Sequence, residues 1–183
     1  MNLDEWELLL DNIKTTDGPC IELDARVCAG FRYAGDCYSS WMTKFADDNF
    51  VPGDHRLVGR VLIIGENGEH IAHYGAQAVT KSLDEARALF RSIFPGWWMN
   101  TGECHLSDDV RIAPDFSDPE HGERLAREFP LPEVKYRDEH GDFTYGPFND
   151  GFDIDRRPAG NLPIAIIQAM IEAKLYILKQ AAH

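Results

Sequence analysis

One segment limits the folds open to this chain more than any other. From Leu162 to Leu178 nearly every residue is apolar, and the run is broken only by Gln168, Glu172 and Lys174. Asn161 stands where an N-cap would, and Pro163 falls in the first turn, where its missing N–H is harmless. The pattern predicts a helix running to about Lys179. A membrane span would carry the charged groups into hydrocarbon at about 2.5–3.5 kcal/mol each. The inside of a domain is the cheaper place, with Gln168, Glu172 and Lys179 on one polar stripe. The rest of the chain must then supply the surface that encloses it.

The preceding residues offer helices and strands in mixed order. Leu3, Trp6, Leu9, Leu10 and Ile13 recur at helical spacing within 3–14, and Asp4, Glu5 and Glu7 occupy the first turns, where the helix dipole favours anions. Thr15 to Pro19 breaks that helix. A second is expected from Ile21 to Ala29, stopped by Gly30. A short strand is expected near Trp41–Phe45. Arg56–Ile64 and Glu69–Tyr74 read as a hairpin turned by Asn67-Gly68. Ser82 to Glu85 has the form of a capping box and opens a helix to Ile93, which Pro95-Gly96 ends. Strands are expected at Trp97–Thr101 and Val110–Ala113. A surface excursion over 114–132 follows, then a small hairpin of Val134–Arg137 and Phe143–Tyr145, then loop over 146–160. The expected fold is α+β, a layered α/β/α sandwich with a mainly antiparallel sheet and a buried closing helix. It forms a single domain over 1–183 with loop insertions at 31–56 and 114–160.

Charge removes whole classes of function. Of 183 residues, 18 are Lys or Arg and 31 are Asp or Glu, a net charge of −13. Binding duplex nucleic acid needs a clustered excess of cations, and an anionic membrane surface needs the same. Neither partner is expected. The first residues lack a basic region followed by an apolar one, and Cys20, Cys28, Cys37 and Cys104 show no CxxC spacing. Reduced thiols in a cytoplasmic protein are the expectation.

No catalytic pattern emerges from the spacing. His70 and His73 form an HxxH, but three residues apart on a strand they face opposite sides and cannot easily share an ion. Cys104-His105 near Asp108-Asp109 has no second ligand pair. There is no GxSxG elbow, and Gly65 to Gly68 joins two strands without the Lys-Ser or Lys-Thr of a P-loop. Asp138, Glu139 and Asp142 read as the solvated rim of a hairpin. No enzyme, metal or cofactor is expected.

Four segments together carry a resemblance. They are Thr16-Asp17-Gly18-Pro19 with Glu22-Leu23-Asp24-Ala25-Arg26, then Ser82-Leu83-Asp84-Glu85-Ala86, Pro95-Gly96-Trp97-Trp98, and Asn161-Leu162-Pro163-Ile164-Ala165. In order and content the chain resembles the phage ABA sandwich domain, a family of small phage and prophage proteins. The resemblance implies an α/β/α layered fold and a non-enzymatic accessory role, with host defence as a target by genome context rather than by physics.

Binding is the function left open. Trp97 and Trp98 on one strand must point to opposite faces, so one ring packs into the core and the other is either covered by another layer or exposed to stack on a base or a partner. Arg60, Lys81 and Arg111 flank the expected sheet and could neutralise a phosphate if they converge. The expected role is sequestration of a small anionic ligand such as a linear or cyclic nucleotide signal, in a homo-oligomer supported by the apolar closing helix. The other readings are an acidic inhibitor of a host defence protein, using loops 114–123 and 138–155, and a phage assembly accessory.

Overall fold

Among the residues described by the computed structural model, namely 1–33, 42–45, 60–64, 70–103, 108–129, 136–137, 143–144, 152–157 and 161–182, five helices and eight strands follow one another. They are α1 (Leu3–Thr15), α2 (Ile21–Tyr33), β1 (Met42–Phe45), β2 (Arg60–Ile64), β3 (His70–Gly75), α3 (Leu83–Ile93), β4 (Trp97–Glu103), β5 (Asp108–Pro114), α4 (Gly122–Glu128), β6 (Tyr136–Arg137), β7 (Phe143–Thr144), β8 (Phe152–Arg157) and α5 (Leu162–Ala181). The strands form sheets β1-β2-β3, β4-β5-β8 and β6-β7, and every described pairing is antiparallel. The fold is α+β.

Helix α5 is the centre. Ile164, Ala165, Ile166, Ile167, Ala169, Met170, Ile171 and Ala173 are wholly shielded from solvent. Near-consecutive buried positions cover every face of a helix, so α5 is enclosed on all sides there. It packs on α1, α3, β5 and β8. Its apolar faces are therefore consumed inside the chain. Asn161 occupies the N-cap position without a side-chain capping bond, and Pro163 sits in the first turn. Among the described residues, no helix is long and apolar enough to cross a membrane.

The flanking helices form for local reasons the sequence carries. In α1, Asn2 accepts from the Glu5 N–H at 2.9 Å and Glu5 accepts from the Asn2 N–H at 2.6 Å, a complete capping box. Trp6, Leu9 and Ile13 form its buried stripe. In α3, Ser82 accepts from the Glu85 N–H at 3.3 Å, so only that half of the expected box is made. Ala86, Leu89 and Phe90 face the core.

Three expectations need correction. Gly30 does not stop α2, which continues to Tyr33. A Cβ at Gly30 would meet Met1 Sδ at 2.6 Å and Trp6 at 2.8 Å, so this glycine lets α2 approach α1. The excursion over 114–132 contains α4, and the loop over 146–160 contains β8, whose Phe152 and Ile154 pair with Ile112 and Val110. The expected strand start at 56–59, the turn at Asn67-Gly68 and Cys37 and Cys104 lie outside the described residues.

A buried polar clamp joins α2 to the turn before α3. The Thr80 N–H donates to Asp24 Oδ1 at 2.7 Å, and the Cys20 N–H donates to Thr80 Oγ1 at 2.9 Å. Asp24 and Thr80 are both buried. Burial pushes the Asp24 carboxyl above the usual carboxylate range, against the hydrogen bonds from Thr80 that pull it down.

Two outcomes follow from these contacts. Gly30→Val should cost about 1–3 kcal/mol by wedging α1 from α2, whereas Gly18→Ala, with nothing within 4 Å of its added carbon, should leave the urea midpoint close to the parent. The raised Asp24 carboxyl means the folded state holds that proton more tightly than the unfolded chain. Stability is thus highest below the unfolded value and falls as pH rises through the folded one. Asp24→Asn keeps an acceptor for Thr80 and should flatten that decline in urea midpoints taken across the acidic range. An unchanged slope would assign the decline to other groups.

Candidate functional site

The two adjacent tryptophans separate onto two faces of the β4-β5-β8 sheet. Trp97 aligns with Pro114 and Met99 with Ile112, and this face looks into the core, where Val110 and Ile112 are buried. Trp98 aligns with Ala113 and Asn100 with Arg111 on the other face. There Trp98 is 37% exposed and the Arg111 guanidinium carbon lies 5.8 Å from the ring centroid. A cation over an indole at that distance contributes about 0.5–1 kcal/mol.

Trp97 borders a cleft built by three elements. The turn after α3 supplies the first wall. Gly96 takes φ 77°, a left-handed conformation, and a Cβ there would run into His121. The Gly96 carbonyl accepts from the Asp115 N–H at 2.8 Å, which ties β4 to the segment leading to α4. The second wall is α4, whose start is fixed by Asp118 Oδ1 accepting from the N–H groups of Glu120 (2.9 Å) and His121 (2.7 Å). Asp115 accepts from Ser117 in a similar turn, and those hydrogen bonds hold its carboxyl below the usual range. Arg124 is fixed by Glu128 at 2.6 Å and by the Pro95 carbonyl at 3.3 Å. Phe129 meets Trp97 edge-on, 5.7 Å between centroids, and Phe94 lies 4.9 Å from the same ring. The third wall is α5, through Lys174 and Ile177.

The cleft encloses about 370 Å³, the lower range of small-molecule sites. Apolar rings and aliphatic chains make most of its surface. Its charged groups are Arg124, Glu128 and Lys174, with His121 beside them. Arg124 and Glu128 neutralise each other. Among the described residues no carboxylate pairs with Lys174: Glu172 on the same helix bonds Lys14 (3.3 Å) and Gln168 (3.2 Å) instead. Burial pushes the Lys174 ammonium below the usual lysine range. The arrangement offers an aromatic cage with a net positive floor.

A second hollow of about 320 Å³ lies between the end of α1 and the start of α2, lined by Thr15, Thr16, Cys20, Glu22 and Arg26 among others. Its one acid and one base leave no net charge for an ion.

The residues singled out from the sequence fall in three places. Trp98 and Arg111 meet on the outer face, and Trp97 lies in the cleft. Lys81 precedes α3 while the tryptophans follow it, so an eleven-residue helix, about 16 Å long, stands between them. The side chain of Arg60 lies outside the described residues. His121, Arg124, Phe129 and Lys174 escaped the sequence reading. Lys174 alone carried a signal. It stands two residues past Glu172, about 200° around the helix from the polar stripe, where an apolar residue was due.

Comparison with known proteins adds no relative: no family model, no curated protein and no solved structure matches the chain.

Replacing Gly96 should show how firmly the cleft walls are set. Gly96→Ala forces a left-handed alanine against His121 and should cost about 1–3 kcal/mol in urea unfolding. An unchanged midpoint would show that this contact does not fix α4 against β4.

Proposed function

We propose that the chain is a non-enzymatic binding protein that sequesters a small aromatic anion of the nucleotide class in the cleft between β4, α4 and α5. The observation that carries this reading is Lys174, a half-buried cation without a described carboxylate partner, on the floor of a cleft walled by Trp97, Phe94 and Phe129. Holding an unpaired ammonium there costs folding free energy. An anionic ligand would remove that cost on binding, and a flat base would find rings to pack against. Arg124 and His121 supply further donors at the rim.

The resemblance to the phage ABA sandwich domain supports a specific setting, the capture of a host nucleotide signal in the cytoplasm of an infected cell. In that setting the chain acts by mass action and returns the ligand unchanged. The outer pair of Trp98 and Arg111 serves as an internal control, since it offers similar chemistry on the opposite face of the sheet.

The test is thermal unfolding against linear and cyclic nucleotides. A ligand at 100 times its dissociation constant adds about 2.7 kcal/mol to stability. One nucleotide should raise the midpoint and be recovered intact after denaturation. Lys174→Met keeps the aliphatic stem and removes the buried charge, so it should be more stable than the parent without ligand and should lose the shift. Arg111→Ala should keep the shift. Loss on Arg111→Ala with retention on Lys174→Met would move the site to the outer face, and a chemically altered nucleotide would mean the chain is an enzyme.

A further inference from the structure

We propose that Lys174 is a nucleophilic lysine that captures carbonyl compounds, specifically aromatic aldehydes or ketones bearing an acidic group, as a reversible imine inside the cleft. The inference rests on the reading that this cleft is the ligand site, and names a class of ligand that the cleft would hold covalently.

Imine capture makes three demands on a lysine. Its amine must be uncharged for an appreciable fraction of the time, because only the free base has a lone pair to give. It must open onto a space that admits the carbonyl compound. That space must also be lined mainly by apolar groups, which disfavour the water that returns the imine to its parts. Lys174 meets each. It projects from a helix whose neighbouring positions Ala173 and Leu175 are buried, into the cleft of about 370 Å³. The rings of Phe94, Trp97 and Phe129, packed on one another, line that volume. Desolvation weakens its hold on the proton and so raises the fraction of free amine.

The other lysines whose side chains are described contrast with it. Lys14 is paired with Glu172 at 3.3 Å and Lys179 with Glu7 at 2.8 Å, both half-exposed, and a carboxylate partner favours the charged form. Lys81 is exposed on the turn before α3. Among the lysines whose side chains are described, Lys174 alone combines partial burial, no described carboxylate partner and a cavity.

The step balances without an oxidant or reductant. The Lys174 nitrogen lone pair forms a bond to the carbonyl carbon, and the C=O π pair moves to oxygen, which takes up a proton. The resulting carbinolamine loses that oxygen as water while the nitrogen gives up its protons and forms C=N. Amine and carbonyl become imine and water. His121, on the wall of the same cleft, carries an imidazole that can pass protons to and from the leaving oxygen. The acidic group of the ligand sits near Arg124. The product is a trapped ligand and not a turned-over one.

The experiment uses the full chain at neutral pH with 4-formylbenzoate as probe, sodium cyanoborohydride to reduce any imine, and peptide mapping by mass spectrometry. Label should accumulate on Lys174 ahead of Lys14, Lys81 and Lys179, so that its peptide dominates the map at early times. Label spread over the exposed lysines, with Lys174 no faster than they are, overturns the proposal. The map is made on the unaltered chain, so it does not depend on any variant folding. Lys174→Arg, which keeps a cation but cannot form an imine, should remove the fast-labelled peptide alone. The two readings fail differently. A nucleotide shift without Lys174 labelling sinks imine capture and leaves the cleft as a nucleotide site. Selective labelling without any nucleotide shift sinks the nucleotide reading and retains the capture.

Discussion

A helix with almost no polar face has to be taken out of water on every side, and the layout of this chain follows from that requirement. No single neighbour can enclose α5. The β4-β5-β8 sheet covers one part through β5 and β8, and α1 and α3 cover others. Each of those elements is amphipathic and needs a partner for its own apolar side: Trp6, Leu9 and Ile13 on α1, Leu89 and Phe90 on α3, Val110 and Ile112 on β5. Burying such side chains contributes about 1.5–3 kcal/mol each. The central helix is therefore the common partner through which elements distant in sequence become neighbours.

The cleft arises where that enclosure ends. Around Lys174 and Ile177, α5 faces a hollow bordered by the end of α3, the start of β4 and the short helix α4, which is held by Asp118 and by the close approach of His121 to Gly96. A lysine at this margin reaches a half-dry space and stays charged at a cost. The same cost makes the position receptive. In the proposed reading, an anion or carbonyl compound taken up there would relieve that cost, so the burden on folding and the proposed binding would have one physical origin.

Much of this was legible in the residues, and the failures have definite causes. Helices α1 and α3 were readable from their periodic apolar stripes, and α5 from an apolar run too long for a strand. The opposition of Trp97 and Trp98 followed from the two-residue repeat of a strand. Gly30 was misread because a glycine permits both a helix stop and a close helix contact, and only Trp6, far away in sequence, decides between them. β8 carried an alternating Phe152-Asp153-Ile154-Asp155 pattern that neighbouring prolines and glycines obscured. α4 is too short for periodicity to show. The cleft was invisible because it depends on α4 lying beside β4, although Lys174 off the polar stripe was a readable anomaly.

The ion pairs between α1 and α5 carry one more consequence. Glu7 meets Lys179 and Lys14 meets Glu172, so ascending α1 means descending α5, and the two helices run antiparallel. Surface pairs of this kind contribute about 0–1 kcal/mol and mark alignment more than strength. The alignment has a meaning in time. The earliest helix finds its principal partner in the latest one, across nearly the whole sequence, so Trp6, Leu9 and Ile13 have no completed site until α5 has been made. Closing so long a loop precedes the contacts that reward it. Folding of this region is then a collective event, in which the α1 side of the core waits for α5 to close the loop between them.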